Sequence, residues 1–531
     1  MSCFGQIKVF VYFCGCVRTV PPDCPQLAIM LFNDIIFPIF LLAVFVIYWL
    51  CLRNRIQAQN ALLLTASYVF YGWWDWRFLG LIALTTLTTF TTALGAQGRH
   101  GRMLTAANIV FNAGLLFVFK YFNFFGENLQ RLFGLLGINL GWFSIEVLLP
   151  VGISFYTFQA IAYSADVRNG RIRPCRNLLD FATFIAYFPQ LVAGPIERAS
   201  QLLGQIERPR HWNTEYAVSG LRMILVGVIK KVCVADMLAV YVDRLYGMDT
   251  LAPHTALAAG ILFSLEIYFD FSGYCDIARG VSRLLGIELM ANFRFPYFSR
   301  NIFEFWRRWH ISLMMWFRDY IYIPLGGNRQ GKSRTLLNVA LVFVISGLWH
   351  GAAFNFIAWG AYWAVVCIAG RLLPGIRRDC GDIGWRDLPR IAVTLGFVMF
   401  GFYIFRCDSM AQFTSGMSAV GAYIVFFGMA WIVLEILCRW RAARVVALIA
   451  AAIAAVCAMY LLLPRWPLLL KAWWLVPMAA VAVVEWRCRN LDFPMQHISA
   501  IRWKRLALYW LFIASAFVSE PLEMAFIYFQ F

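Results

Sequence analysis

The feature that most restricts this chain is a recurrence of long uncharged apolar runs, each near twenty residues, from about residue 35 to about residue 518. Backbone polar groups buried in lipid must be satisfied within the segment or by a closed barrel. Runs of about twenty residues suit helices, whereas barrel strands would show shorter alternating segments. The runs predict an all-α, polytopic transmembrane protein of roughly a dozen helices. Composition agrees: 61% of the 531 residues are hydrophobic and 14% are charged, against about 25% charged in soluble domains.

The net charge of +18 sits mostly in short loops between runs. CLRNR, QGRHGR and DVRNGRIRPCR follow the first, third and fifth runs. Basic loops stay in the cytoplasm, so the first helix is expected to start outside. Anionic membrane lipids are the partner this charge implies. Nucleic acid is excluded as a partner, because no soluble basic domain is present. The 14 cysteines form no C-x-x-C pair and no zinc-spaced cluster, so no metal site is expected.

Residues 1–29 differ from the rest, with four cysteines and three prolines around an apolar run too short to span. They read as an N-terminal extension, with the true start expected at Met30. Residues 30–410 read as the core and 411–531 as peripheral transmembrane helices. Within the core, FATFIAYFPQLVAGPIER carries Pro189, Gly194 and Pro195, which predict a re-entrant or kinked element. The run over 216–245 is interrupted at Lys230 and Lys231. Another, over 254–271, leads into DFSGYCDIARG, where Asp270 either caps a helix end at the interface or lines a polar path.

Two histidines stand out because an ionisable group at membrane depth is a functional candidate by default. His350 closes the apolar run LLNVALVFVISGLW and precedes GAAFNFIAWG. Desolvation favours its neutral form, which can accept a proton from a hydroxyl. The competing reading is a buried histidine bonded to a neighbouring helix. Gly347 and Gly351 leave room for another backbone or a substrate. His310 lies in NIFEFWRRWHISLMMWFRDY. Read as one helix, this stretch puts Trp306, Trp309, Leu313, Trp316 and Tyr320 on an aromatic face. Arg307, His310, Met314 and Arg318 fall opposite, suited to an interfacial helix or the floor of a polar cavity attracting an anionic donor. The substrate-lining candidates are Asp270, Arg307, Trp309 and Trp349. GGNRQGKS, from Gly326 to Ser333, matches the spacing of a phosphate-binding loop. It lacks the preceding strand such a loop needs.

Several stretches together resemble the membrane-bound O-acyltransferase family: MLFNDIIFPIF, LPVGISFYTFQAIAY, YFPQLVAGPIER, DFSGYCDIARGVSRLLGI, NFRFPYFSRNIFEFWRRWHISLMMWFRDYIYIPLGG and GLWHGAAFNFIAWG. The resemblance spans Met30 to about Ala364. It implies a helical cage around a bilayer-crossing tunnel, with re-entrant and interfacial helices. The family's central histidine falls on His350 and the second motif histidine on His310. The implied reaction moves an acyl group from a cytoplasmic thioester to a hydroxyl outside, with no bound cofactor. In the branch that O-acetylates exopolysaccharides such as alginate, acetyl-CoA or another acyl thioester is the donor substrate. The partners implied are a periplasmic polysaccharide acetyltransferase and the nascent polymer, and the location is the bacterial inner membrane. D-alanyl transfer to teichoic acid from an acyl carrier protein is the sibling alternative. A transporter, or a scaffold for a periplasmic enzyme, is the non-enzymatic one.

Overall fold

The computed structural model describes residues 32, 36–139, 141, 144, 149–372, 381–439, 475–491 and 509–510, without the side chains of 430–439. The proposed start at Met30 and the runs near 446–463 and 506–518 fall wholly or mostly outside these residues. Among the described residues every regular element is a helix. In order they are α1 (Ile36–Val46), α2 (Ile56–Asp75), α3 (Leu79–Leu94), α4 (Gly101–Leu116), α5 (Phe122–Leu135), α6 (Ile153–Arg168), α7 (Leu178–Ala186), α8 (Phe188–Leu191), α9 (Leu202–Ile206) and α10 (Thr214–Val228). Then follow α11 (Asp236–Tyr246), α12 (Pro253–Leu284), α13 (Ile302–Arg308), α14 (Ile311–Phe317), α15 (Lys332–His350), α16 (Phe354–Leu372), α17 (Leu388–Arg406), α18 (Met410–Met417), α19 (Val420–Arg439) and α20 (Leu475–Cys488).

Six helical stretches in the described residues are long and apolar enough to span a bilayer, or seven if the bent pair α18–α19 is one span. The chain is a multi-pass, all-α membrane protein. Exposed Ile39, Leu50, Val110, Val365 and Ile424 fit a lipid-facing surface. Helix α6 begins directly after Gly152, whose backbone is left-handed (φ 74).

Helix α12 is the central element: 32 residues long and buried along almost its whole length. Its partner α10 approaches through glycines spaced seven apart on each helix. A Cβ on Gly227 would lie 2.6 Å from the Gly273 carbonyl oxygen, and one on Gly220 would lie 2.7 Å from that of Gly280. Small residues let backbones pack this closely where lipid offers no hydrophobic drive.

The closeness matters because α12 carries acids in mid-helix, and so corrects the expectation of a helix end at Asp270. The helix continues to Leu284. Beyond α10 the chain widens into a π-helical stretch, Ile229–Ala235, holding Lys230 and Lys231. Lys231 pairs with Asp270 and Asp236 at 2.7 Å each. Lys230 pairs with Asp276 at 2.9 Å and with Glu485 of α20 at 2.7 Å. Neutralisation by lysines on the neighbouring element lets these carboxylates stay buried without ending the helix.

The proline-broken segment before α10 is kinked as expected. Tyr187 interrupts α7 and α8 with φ −53 and ψ 108, and residues 180–196 are all buried, so this irregular backbone is enclosed in protein. Gly326–Ser333 is a turn running into α15, preceded by π-helix rather than strand.

Candidate active site

His310 does not sit within a helix, and the single amphipathic helix expected there is two. Asn301 caps α13 by accepting the Glu304 amide hydrogen at 2.9 Å. The chain leaves helical geometry at Trp309 (φ −99, ψ 127) and at His310, which is left-handed (φ 42, ψ 54). A non-glycine residue in that region costs about 1–3 kcal/mol unless its surroundings enforce it.

Asn292 enforces it. Its backbone carbonyl accepts the Ile311 amide at 2.9 Å. Its side-chain oxygen accepts the Ser312 amide at 3.2 Å and the Ser312 hydroxyl at 2.9 Å. The Arg294 amide donates to the Arg308 carbonyl across the break at 3.0 Å. The turn therefore rotates residues apart that a continuous helix would align. His310 is 1% exposed while Arg307 faces outward.

The same contacts identify the tautomer of His310. An amide N–H can only donate, so the Asn292 atom facing Ser312 is an oxygen. His310 Nδ1 lies 3.1 Å from that oxygen. Nδ1 therefore carries a proton, so in the neutral imidazole it is Nε2 that presents the lone pair.

His350 arrives from the opposite direction, as the last residue of α15. Helix α15 packs on α16 through Gly347, where a Cβ would run into the Phe356 carbonyl oxygen, and Gly360 opposite. A Cβ on Gly351 would meet the Phe356 ring. These two glycines thus serve close packing against α16. The His350 ring is buried among aromatic edges: Trp349 at 4.8 Å, Trp359 at 5.1 Å and Phe405 at 5.0 Å between centroids.

Trp349 joins the two histidines. Its ring centroid is 6.2 Å from that of His310 and 4.8 Å from that of His350. It also stacks on Phe158 of α6 at 5.5 Å. Phe158 is in turn stacked on Trp316 at 3.8 Å, and its carbonyl accepts the Trp316 indole N–H at 3.0 Å. Phe271 of α12 closes the other side of His310, edge-on at 4.8 Å.

Of the remaining candidates, Trp309 is buried against Phe293 and Phe402, at 5.0 and 4.9 Å. Asp270 turns to Lys231, as above. Arg307 shares no face with His310. The structure thus brings together His310, Trp349 and His350, with Trp309 supporting the turn.

Residue-level reading missed three participants. Asn292 lies in a loop with no periodicity to single it out. Tyr121 and Lys120, from the π-helical stretch Phe117–Tyr121 between α4 and α5, bond the end of α15. Lys120 did carry a signal: it is the one charged residue between Arg102 and Glu127. Among the described residues no cluster of three or more His, Cys, Asp or Glu could hold a metal ion.

Residues 173–415 match the family model described as MBOAT, membrane-bound O-acyltransferase family. Over 387 residues the chain is 38% identical to a protein of Azotobacter vinelandii named probable alginate O-acetylase AlgI, covering 72% of this chain and 76% of that one. It is 32% identical over 427 residues to the peptidoglycan O-acetyltransferase of Helicobacter pylori, covering 72% and 78%. It is 31% identical over 275 residues to the teichoic acid D-alanyltransferase of Bacillus subtilis, covering 48% and 68%.

Proposed function

Because the chain belongs to the membrane-bound O-acyltransferase family and is an O-acyltransferase, we propose that it moves an acetyl group from a cytoplasmic thioester across the bacterial inner membrane. The acetyl group is destined for hydroxyls of an exopolysaccharide such as alginate. Acetyl-CoA is the proposed donor substrate, and a periplasmic polysaccharide acetyltransferase the proposed receiving partner.

The observation that carries this reading is the pair of buried imidazoles that both contact the Trp349 ring. His350 is the general base. It takes the proton of the acceptor hydroxyl as the oxygen attacks the thioester carbonyl carbon. The tetrahedral intermediate collapses, the C–S bond breaks, and the proton goes to the departing thiolate. The products are an acetyl ester and a thiol. His310 orients the acceptor. With its proton on Nδ1 and directed at Asn292, it offers a lone pair at Nε2, which accepts a hydrogen bond from a hydroxyl and cannot donate one to a carbonyl. Donor and acceptor held beside these fixed rings gain from proximity.

Acetyl rather than D-alanyl transfer is favoured because the O-acetylating relatives match 72% of the chain and the D-alanylating one 48%. The test is to release esters from envelope polymer by mild alkali, in cells with and without this chain. Acetate that depends on the chain supports the reading. D-alanine in its place supports the sibling activity, and no chain-dependent ester supports a transporter or scaffold.

A further inference from the structure

The last four carbonyls of a helix lack partners within it. In lipid each such group costs several kcal/mol if left unbonded. Helix α15 ends at His350, so the carbonyls at issue are those of residues 347–350. The Lys120 ammonium donates to the Trp349 and His350 carbonyl oxygens at 2.7 Å each, and the Tyr121 hydroxyl donates to that of Leu348 at 2.8 Å. Two consecutive residues of one neighbouring element thus bond three consecutive carbonyls of the other. Both lie in the π-helical stretch Phe117–Tyr121, a local widening often found at functional sites.

We infer that Lys120 is a positioning residue for acyl transfer, holding the backbone from which the His350 and Trp349 rings project. The inference rests on His350 being the base, as proposed above. Three features go beyond ordinary end-capping. The bonded oxygens belong to the two residues whose rings form the site. The Lys120 ammonium lies 5.9 Å from the Trp349 ring centroid, so one group engages both the backbone and the ring that contacts both histidines. And its amine stands at the negative end of the helix dipole, which favours the protonated form. Beyond His350 the backbone is already extended at Gly351 (φ −167, ψ 158), so no further helical turn braces the imidazole. Without Lys120 the last turn loses two bonds and the ring loses its fixed origin. A displacement near 1 Å in a reacting group costs on the order of 100-fold in rate.

The experiment compares the full-length wild type with Lys120→Met, Lys120→Arg, Tyr121→Phe and His350→Ala in cells where the wild type forms O-acyl esters on envelope polymer. The readout is initial ester formation per inserted copy, with the thermal midpoint of each purified variant beside it. Lys120→Met is expected to lose on the order of 100-fold per copy. Lys120→Arg, which keeps the charge and two donors, is expected to recover at least a third of the wild-type rate. Tyr121→Phe, which leaves the cation in place, is expected to keep more than half. Should Lys120→Met fail to insert, Lys120→Gln takes its place with the same expected loss. Wild-type rates in Lys120→Met, or arginine no better than methionine at equal thermal midpoint, overturn the positioning role. So does a loss in Tyr121→Phe as deep as in Lys120→Met. Retained activity in His350→Ala refutes the base assignment instead, and is read independently of the lysine series.

Discussion

His310 Nδ1 and Asn292 Oδ1 lie 3.1 Å apart across a backbone break, and the same oxygen binds the Ser312 amide and hydroxyl. One loop side chain therefore does two jobs. It holds His310 in a left-handed conformation, and it keeps the ring proton on the nitrogen facing away from Nε2.

Asn292→Leu should disable the site while leaving insertion intact. Losing an acceptor for buried N–H groups costs about 1–3 kcal/mol, so acyl-ester formation per copy should fall about 10- to 100-fold. Asn292→Asp, which keeps an acceptor oxygen for all three donors, should lose less. Quantifying esters per inserted protein checks this; equal rates in Asn292→Leu and wild type would remove Asn292 from the site.

The left-handed backbone at His310 gives a test that separates fold from chemistry. Glycine adopts φ 42 without the Cβ penalty that alanine meets. His310→Gly and His310→Ala should both lose most activity. His310→Gly should be the more stable by about 1 kcal/mol, read as the higher thermal midpoint. The reverse order of midpoints would contradict the turn geometry.

The contact between α10 and α12 depends on absent side chains. Gly227→Leu would drive a side chain toward the Gly273 carbonyl, where a Cβ alone lies 2.6 Å away. Overpacking of this kind costs about 1–3 kcal/mol or more. The variant should accumulate poorly in membranes, whereas substituting lipid-facing Val110 with leucine should not. Immunoblotting of membrane fractions measures both.

Asp270 is expected to matter for folding more than for the reaction. Removing one partner of a buried ion pair leaves an uncompensated charge and typically costs about 3–5 kcal/mol. Asp270→Asn leaves Lys231 paired with Asp236, so its cost should fall below that of Lys231→Met, which takes the lysine away from both Asp236 and Asp270. The measurement is the thermal midpoint. An Asp270→Asn protein of wild-type stability but without activity would return Asp270 to the substrate path.

The parts legible in the sequence were those with a local signature. Apolar runs announced the helices, and His350 was conspicuous because its whole neighbourhood is uncharged. The kink at Tyr187 followed from Pro189 and Gly194. What stayed hidden depended on partners distant along the chain. Asp270 suggested a helix end because it lies where an apolar run gives way to polar residues, yet Lys231 on another element lets the helix run through. His310 fell on a plausible amphipathic face until Asn292, eighteen residues earlier, broke that helix. Lys120 was visible as a lone cation, but nothing nearby pointed to carbonyls some 230 residues onward.

The central claim, that a buried imidazole at the end of α15 takes the acceptor's proton, is tested most directly by His350→Ala. The quantity to measure is alkali-labile acyl ester on envelope polymer, normalised to inserted protein of unchanged thermal midpoint. The account predicts loss of all chain-dependent ester. Ester formation at a substantial fraction of the wild-type rate would contradict it.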